Sequence, residues 1–137
     1  MFRKFSLGMA ATVMAVAPTA AMAATYGFNL NLVVAVNCSV QHQPTGFGAI
    51  SGDAVSLGSF REYCNAPTGY DLVINYAPGS LEGTRIIAGN DEIILNGSGQ
   101  AILSRASGPR IRERPIAAVP GDNGFDTDRF ELRIVPS

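Results

Sequence analysis

The chain is predicted to fold as an all-β sandwich or barrel, on three observations. Apolar residues recur at every second position in several stretches, the period of a strand with one buried face. Clusters of Gly, Pro, Asn and Asp break those stretches at intervals of about 8–12 residues. After residue 23, no stretch sustains the 3.6-residue apolar period of a helix over three turns.

Residues 1–23 stand apart from the fold. Arg3 and Lys4 precede a mostly apolar run from Phe5 to Ala17, and Ala21-Met22-Ala23 offers an Ala-x-Ala cleavage site. That layout predicts a secretory signal peptide. The run is too short for a membrane anchor and is broken by Pro18. The mature chain is expected to begin at Ala24 and to hold one domain with a modest core. Without Arg3 and Lys4 all its basic residues are Arg, and its formal charge is about −3, against −1 for the whole chain. A mildly acidic chain without Lys/Arg runs carries no electrostatic footprint for nucleic acid or anionic lipid. No second run reaches membrane-spanning length. Cys38 and Cys64, an even number in an exported chain, are expected to form one disulfide.

In chain order, Tyr26 to Val40 comes first. Its even positions are all apolar: Tyr26, Phe28, Leu30, Leu32, Val34, Val36, Cys38 and Val40. Fully extended it would measure on the order of 50 Å, well beyond a typical strand. Either it bends into two strands or part of it leaves its own domain. Gln41 to Gly46 reads as a turn, Phe47 to Ile50 as a short apolar touch-down, and Ser51-Gly52-Asp53 as another turn. Val55, Leu57 and Ser59 open a strand that reaches Cys64, and Asn65 to Gly69 turns the chain. Tyr70, Leu72, Ile74 and Tyr76 define the next strand, closed by Ala77 to Ser80. Leu81 to Ala88 carries Ile86 and Ile87, and Gly89-Asn90-Asp91 turns it. Glu92 to Leu95 and Gln100 to Leu103 flank Asn96-Gly97-Ser98-Gly99, the pattern of a hairpin with an Asn-Gly turn. Arg110 to Val119 contains Pro115 and is expected to be an edge or irregular segment. After the loop Pro120 to Gly124, Phe130, Leu132 and Ile134 form the last strand.

The chemistry of an enzyme is not legible. There is no Gly-x-Ser-x-Gly elbow, and His42, the only histidine, sits in a polar run that marks it as a surface residue. Gly46-Phe47-Gly48 does not complete a dinucleotide-binding pattern, since Ser51 takes the last glycine's place. Asp122, Asn123, Asp126 and Asp128 match no calcium loop, and turn formation explains them. Neither a catalytic residue, a cofactor nor a metal is expected. Arg105, Arg110, Arg112 and Arg114 cluster, the last three on one face. They read as a solvated edge that blocks aggregation, with contact to an acidic partner as the alternative.

About six strands follow the first stretch, against seven or more in an immunoglobulin-like sandwich, so an edge strand is expected to be missing. At this point the chain resembles chaperone–usher pilus subunits, in particular the archaic type that includes spore coat protein U-like domains. The signal peptide, Val36-Asn37-Cys38-Ser39-Val40, Phe47-Gly48, Cys64 and Tyr70-Asp71-Leu72 carry the resemblance. So does Asp126-Thr127 ahead of Phe130-Glu131-Leu132-Arg133-Ile134. It implies an incomplete immunoglobulin-like sandwich lacking its last strand, with residues 24–36 as a donor-strand extension and 37–137 as the domain. By the same resemblance, Phe28, Leu30, Leu32 and Val34 would insert into a neighbouring subunit. The implied partners are a periplasmic chaperone, an outer-membrane usher and neighbouring pilus subunits. The implied location is the periplasm in transit and then a surface fimbrium or coat, with roles in adhesion or biofilm. The alternative is a self-sufficient secreted β-sandwich that binds a ligand, with residues 26–40 as its own first strand.

Overall fold

The computed structural model of the protein describes residues 27–127 and 130–137. The signal peptide expected over residues 1–23, the start of the extension, Tyr26 and Asp128 lie outside the described residues. Residues 33–137 form one compact unit. Residues 27–32 fall outside it and carry no strand.

The domain is all-β, with nine strands in two antiparallel sheets among the described residues. They are β1 (Cys38–Gln43), β2 (Ile50–Ser51), β3 (Ala54–Cys64), β4 (Tyr70–Asn75), β5 (Arg85–Ala88), β6 (Asp91–Ile94), β7 (Gln100–Ala106), β8 (Arg110–Val119) and β9 (Glu131–Pro136). One sheet runs β1-β3-β8-β5-β6, with β2 pairing β3; the other runs β7-β4-β9. The core lies between them and includes Phe60, Leu72, Ile74, Ile86, Ile116 and Ile134. Eight strands follow β1, so the count of about six is too low; β2, only two residues long, falls where the sequence reads as a touch-down and a turn.

The alternative reading, one continuous first strand over residues 26–40, is not seen among the described residues. Of residues 27–40, only Cys38 to Val40 lies in a strand, and residues 27–37 have no regular structure. Gln41 to Gln43, expected in a turn, continue β1 instead, because β3 supplies a partner for each of them. Phe47 and Ile50 do not enter the core; they are half-exposed and largely exposed.

Two further expectations are corrected. The Asn96-Gly97 turn does not join a hairpin, since β6 and β7 belong to different sheets. The turn signal is genuine: Gly97 has φ +78° and the Ser98 amide donates to Asn96 Oδ1 at 3.0 Å. Leu95, however, is fully buried and its amide donates to the Thr84 carbonyl, so the connection crosses from one sheet to the other. Arg110–Val119 is no edge either. It is an interior strand, paired with β3 along its length and with β5 over Ile116 to Val119. Pro115 is tolerated because it falls one residue beyond the β5 pairing and at a register shift in β3 between Ser56 and Ser59.

That shift is centred on Gly58, whose φ is +88° and where an added Cβ would lie 2.2 Å from the Gln43 carbonyl oxygen. A glycine bulge moves the inward-facing positions of β3 from odd numbers to even ones. Leu57 is buried before it; Phe60, Glu62 and Cys64 are buried after it.

Candidate functional site

β1 and β9 form one lateral margin of the sandwich. β1 pairs only with β3 and β9 only with β4, so each leaves one edge without a strand partner among the described residues. The two edges face each other, with Cα atoms approaching within 8 Å, yet no ladder joins them. Between them lies a cavity of about 390 Å³. Leu57 and Ile116 form its floor. Val40, His42 and Phe47 line the β1 side, and Thr127, Phe130, Glu131 and Leu132 the β9 side.

The chain itself sets this geometry. Cys38 is disulfide-bonded to Cys64 and is its direct partner in the β1–β3 ladder. The bridge closes a separation of 26 residues, worth about 3–4 kcal/mol in the loop-entropy model. Tyr70 pairs with Pro136, and the Ser137 amide donates to the Gly69 carbonyl at 3.0 Å. The disulfide and the Tyr70–Pro136 pair therefore mark one end of the sandwich, and the cavity opens toward the other, where β1 ends and β9 begins. At that end Phe130 packs edge-to-face on Phe125, with ring centroids 5.9 Å apart.

The cavity is mostly apolar, with His42, Thr127 and Glu131 as the polar residues of its lining. His42 is not in a turn; it stands in β1, with Nε2 2.5 Å from the Leu57 carbonyl oxygen and its ring against Phe47. Glu131 is the one acidic residue of the lining. Such a site accommodates an uncharged extended segment far better than a charged ligand.

The predicted donor residues are all exposed: Phe28 at 90%, Leu30 at 87%, Leu32 at 74% and Val34 at 69%. Between Lys4 and Asp53 the chain has no Asp, Glu, Lys or Arg. The structure does not place these four residues in any strand.

The arginine cluster is not a solvated edge. Arg114 is buried, and its guanidinium donates to Glu62 Oε2 (3.2 Å), Ser104 Oγ (2.9 Å) and the Ala88 carbonyl (3.2 Å), and pairs with Asp91. It also lies over the Phe60 ring, 5.2 Å from the centroid. Arg112 pairs with the other oxygen of the fully buried Glu62. From Arg112 onward the even-numbered positions on β8 face inward because they meet the shifted even positions of β3, so Arg112 and Arg114 are internal while Arg110, at the start of the strand, is exposed. Arg105 remains outside and pairs with Asp71 at 3.4 Å.

Tyr70 sits beside this network with its hydroxyl buried, but without the geometry of a hydrogen bond. Burial raises its pKa above the usual 10.0, and the neighbouring Glu62 charge raises it further. In the acidic loop, Gly121 and Gly124 pair across a turn, and the Gly121 amide donates to buried Thr84 Oγ1 at 3.3 Å. No group of three or more potential metal ligands occurs among the described residues.

Fold and site together define a two-sheet β-sandwich whose one unusual feature is an apolar groove between two unpaired strand edges. Compared with protein-family models, with curated proteins and with solved structures, the chain matches none.

Proposed function

We propose that the protein is an exported structural subunit that assembles by β-strand addition, each groove receiving the Phe28–Val34 segment of a neighbouring copy. The observation that carries this is the pairing of an apolar groove between two free strand edges with an uncharged, exposed segment alternating at the strand period. Added strands gain main-chain hydrogen bonds, and their alternate side chains fill pockets. Phe28 to Val34 extended measures roughly 20 Å, the length of a six-residue strand such as β9. Four buried apolar side chains supply about 6–12 kcal/mol gross, and ordering and association take back a large part.

A strand seated between β1 and β9 needs about 4.8 Å on each side, so the edges must part where they now approach within 8 Å. Filling the groove is therefore coupled to opening it. During export a chaperone strand would cover the same edges, and an usher would exchange it for the next subunit. The product would be a fimbrium or a spore-coat-like surface layer.

A domain lacking residues 24–35 tests this, titrated with a peptide spanning Ala24 to Val36. The peptide is expected to raise the melting temperature, and the same peptide with Leu30→Asp and Leu32→Asp to leave it unchanged. Identical melting with and without the unmodified peptide would sink the proposal.

A further inference from the structure

The backbone just ahead of β1 is held by a single side chain. The Asn37 amide donates to Asn65 Oδ1 at 2.6 Å, and Asn65 Nδ2 donates to the Ala35 carbonyl at 3.0 Å. The Asn65 amide donates in turn to the Asn37 carbonyl at 3.2 Å. Asn37 precedes Cys38 and Asn65 follows Cys64, so these bonds carry the β1–β3 ladder past the disulfide, along the line of β1. A carboxamide suits the task because one end accepts from a peptide N–H while the other donates to a peptide carbonyl.

We infer that Asn65 is a positioning residue that fixes the exit direction of the N-terminal segment, so that the groove is filled by the segment of a second copy and not by the chain's own. This rests on the strand-addition reading above.

The groove opens at the end of the sandwich away from the disulfide, at His42 and Phe130 to Leu132. To fill it, the chain's own segment must reverse within residues 35–37 and run back alongside β1. The two-residue hairpin turns that best fit so tight a reversal take positive φ at a central residue. β-Branched Val36 resists that conformation, and neither Gly nor Pro stands between Phe28 and Gln43. Reversal also breaks the bonds from Asn65 to Ala35 and Asn37. Such a restraint matters because a short tether presents its segment at millimolar effective concentration. Against a micromolar second copy, self-insertion would otherwise win by about 100- to 1000-fold.

The test compares the full exported chain with its Asn65→Asp, Asn65→Ala and Leu32→Asp variants, by light scattering at micromolar concentration. Asn65→Asp keeps the size and the acceptor but sets a carboxylate oxygen against the Ala35 carbonyl. Both Asn65 variants are expected to lose multimer roughly tenfold or more. Their closed monomers should melt above the Leu32→Asp monomer, whose groove stays empty; mere structural damage at Asn65 would lower melting instead. Asn65 variants that polymerise like the wild type, while Leu32→Asp stays monomeric, overturn the role of Asn65 alone. A wild type no larger than Leu32→Asp overturns strand addition and this inference with it. If the Asn65 variants do not fold, hydrogen exchange on the wild type decides. An Asn37 amide protected in monomer and multimer alike supports the inference, and one exchanging at the free-chain rate overturns it.

Discussion

The two lateral margins of the sandwich are built in opposite ways. At one, the chain itself crosses between sheets from β6 to β7, and backbone groups along the crossing find partners. Leu95 N–H bonds to the Thr84 carbonyl, Gly83 N–H to Leu95, Gly79 N–H to Gly97 and Tyr76 N–H to Gly99, all between 2.7 and 2.9 Å. Arg114 then ties Asp91 on β6 to Ser104 on β7, across the two sheets. At the other margin β1 and β9 share neither a connection nor a ladder, and an apolar cavity takes the place of both. A sandwich closed on one side by covalent chain and a charge network can leave its other side unpaired without losing its fold. That asymmetry makes the open side available to a partner.

The closed margin should fail first under mutation. Glu62→Ala leaves Arg112 and Arg114 facing a buried void with only the half-exposed Asp91 as counter-charge, and is expected to destabilise the domain by about 3–5 kcal/mol in urea unfolding. Ser104→Ala removes only one neutral partner and should cost about 1 kcal/mol. Equal losses from the two would mean that the network does not depend on Glu62. Next in size is the disulfide. Replacing Cys38 and Cys64 together by Ala should cost about 3–4 kcal/mol, with β1 losing hydrogen-exchange protection more than β8 does. At the open margin the balance inverts. Leu132→Asp changes a partly buried residue on the cavity wall. It should lower stability by no more than about 1–2 kcal/mol yet abolish the melting shift caused by the Ala24–Val36 peptide. Retained peptide binding would place the docking surface elsewhere.

What the sequence revealed of this contrast follows from how local each signal is. The strands β3, β4, β7 and β9 were legible because their alternation or flanking turns lie within a few residues. The role of β8 was not, because Pro115 is acceptable only opposite the bulge at Gly58, which lies far away in sequence. The same bulge hid the charge network. Reading Val55, Leu57 and Ser59 as the inward set puts Glu62 outside, whereas the shift at Gly58 turns it inward between Phe60 and Cys64. The pattern Phe60-x-Glu62-x-Cys64 carried a usable hint: one charge at the apolar parity, matched by arginines at alternate positions of a later strand. Of the candidate site, the exposed apolar segment was legible. The groove was not, since Val40, Phe47, Leu57, Ile116 and Phe130 meet only once the sheets have stacked.

Tyr70 offers the finest probe of the Glu62 network. Its hydroxyl is buried next to Glu62 without a hydrogen bond, so the folded state holds it neutral with a pKa above 10.0. The unfolded chain ionises at the ordinary value. Below that value both states keep the proton and the term is zero; as pH climbs through 10 toward the folded value, only the unfolded state gains from releasing it. Stability should therefore fall with rising pH in that window. Tyr70→Phe removes both the titrating group and an unsatisfied buried oxygen. It should change stability at neutral pH by less than about 1 kcal/mol and flatten the alkaline decline. An alkaline decline of undiminished slope in Tyr70→Phe would assign it to another group.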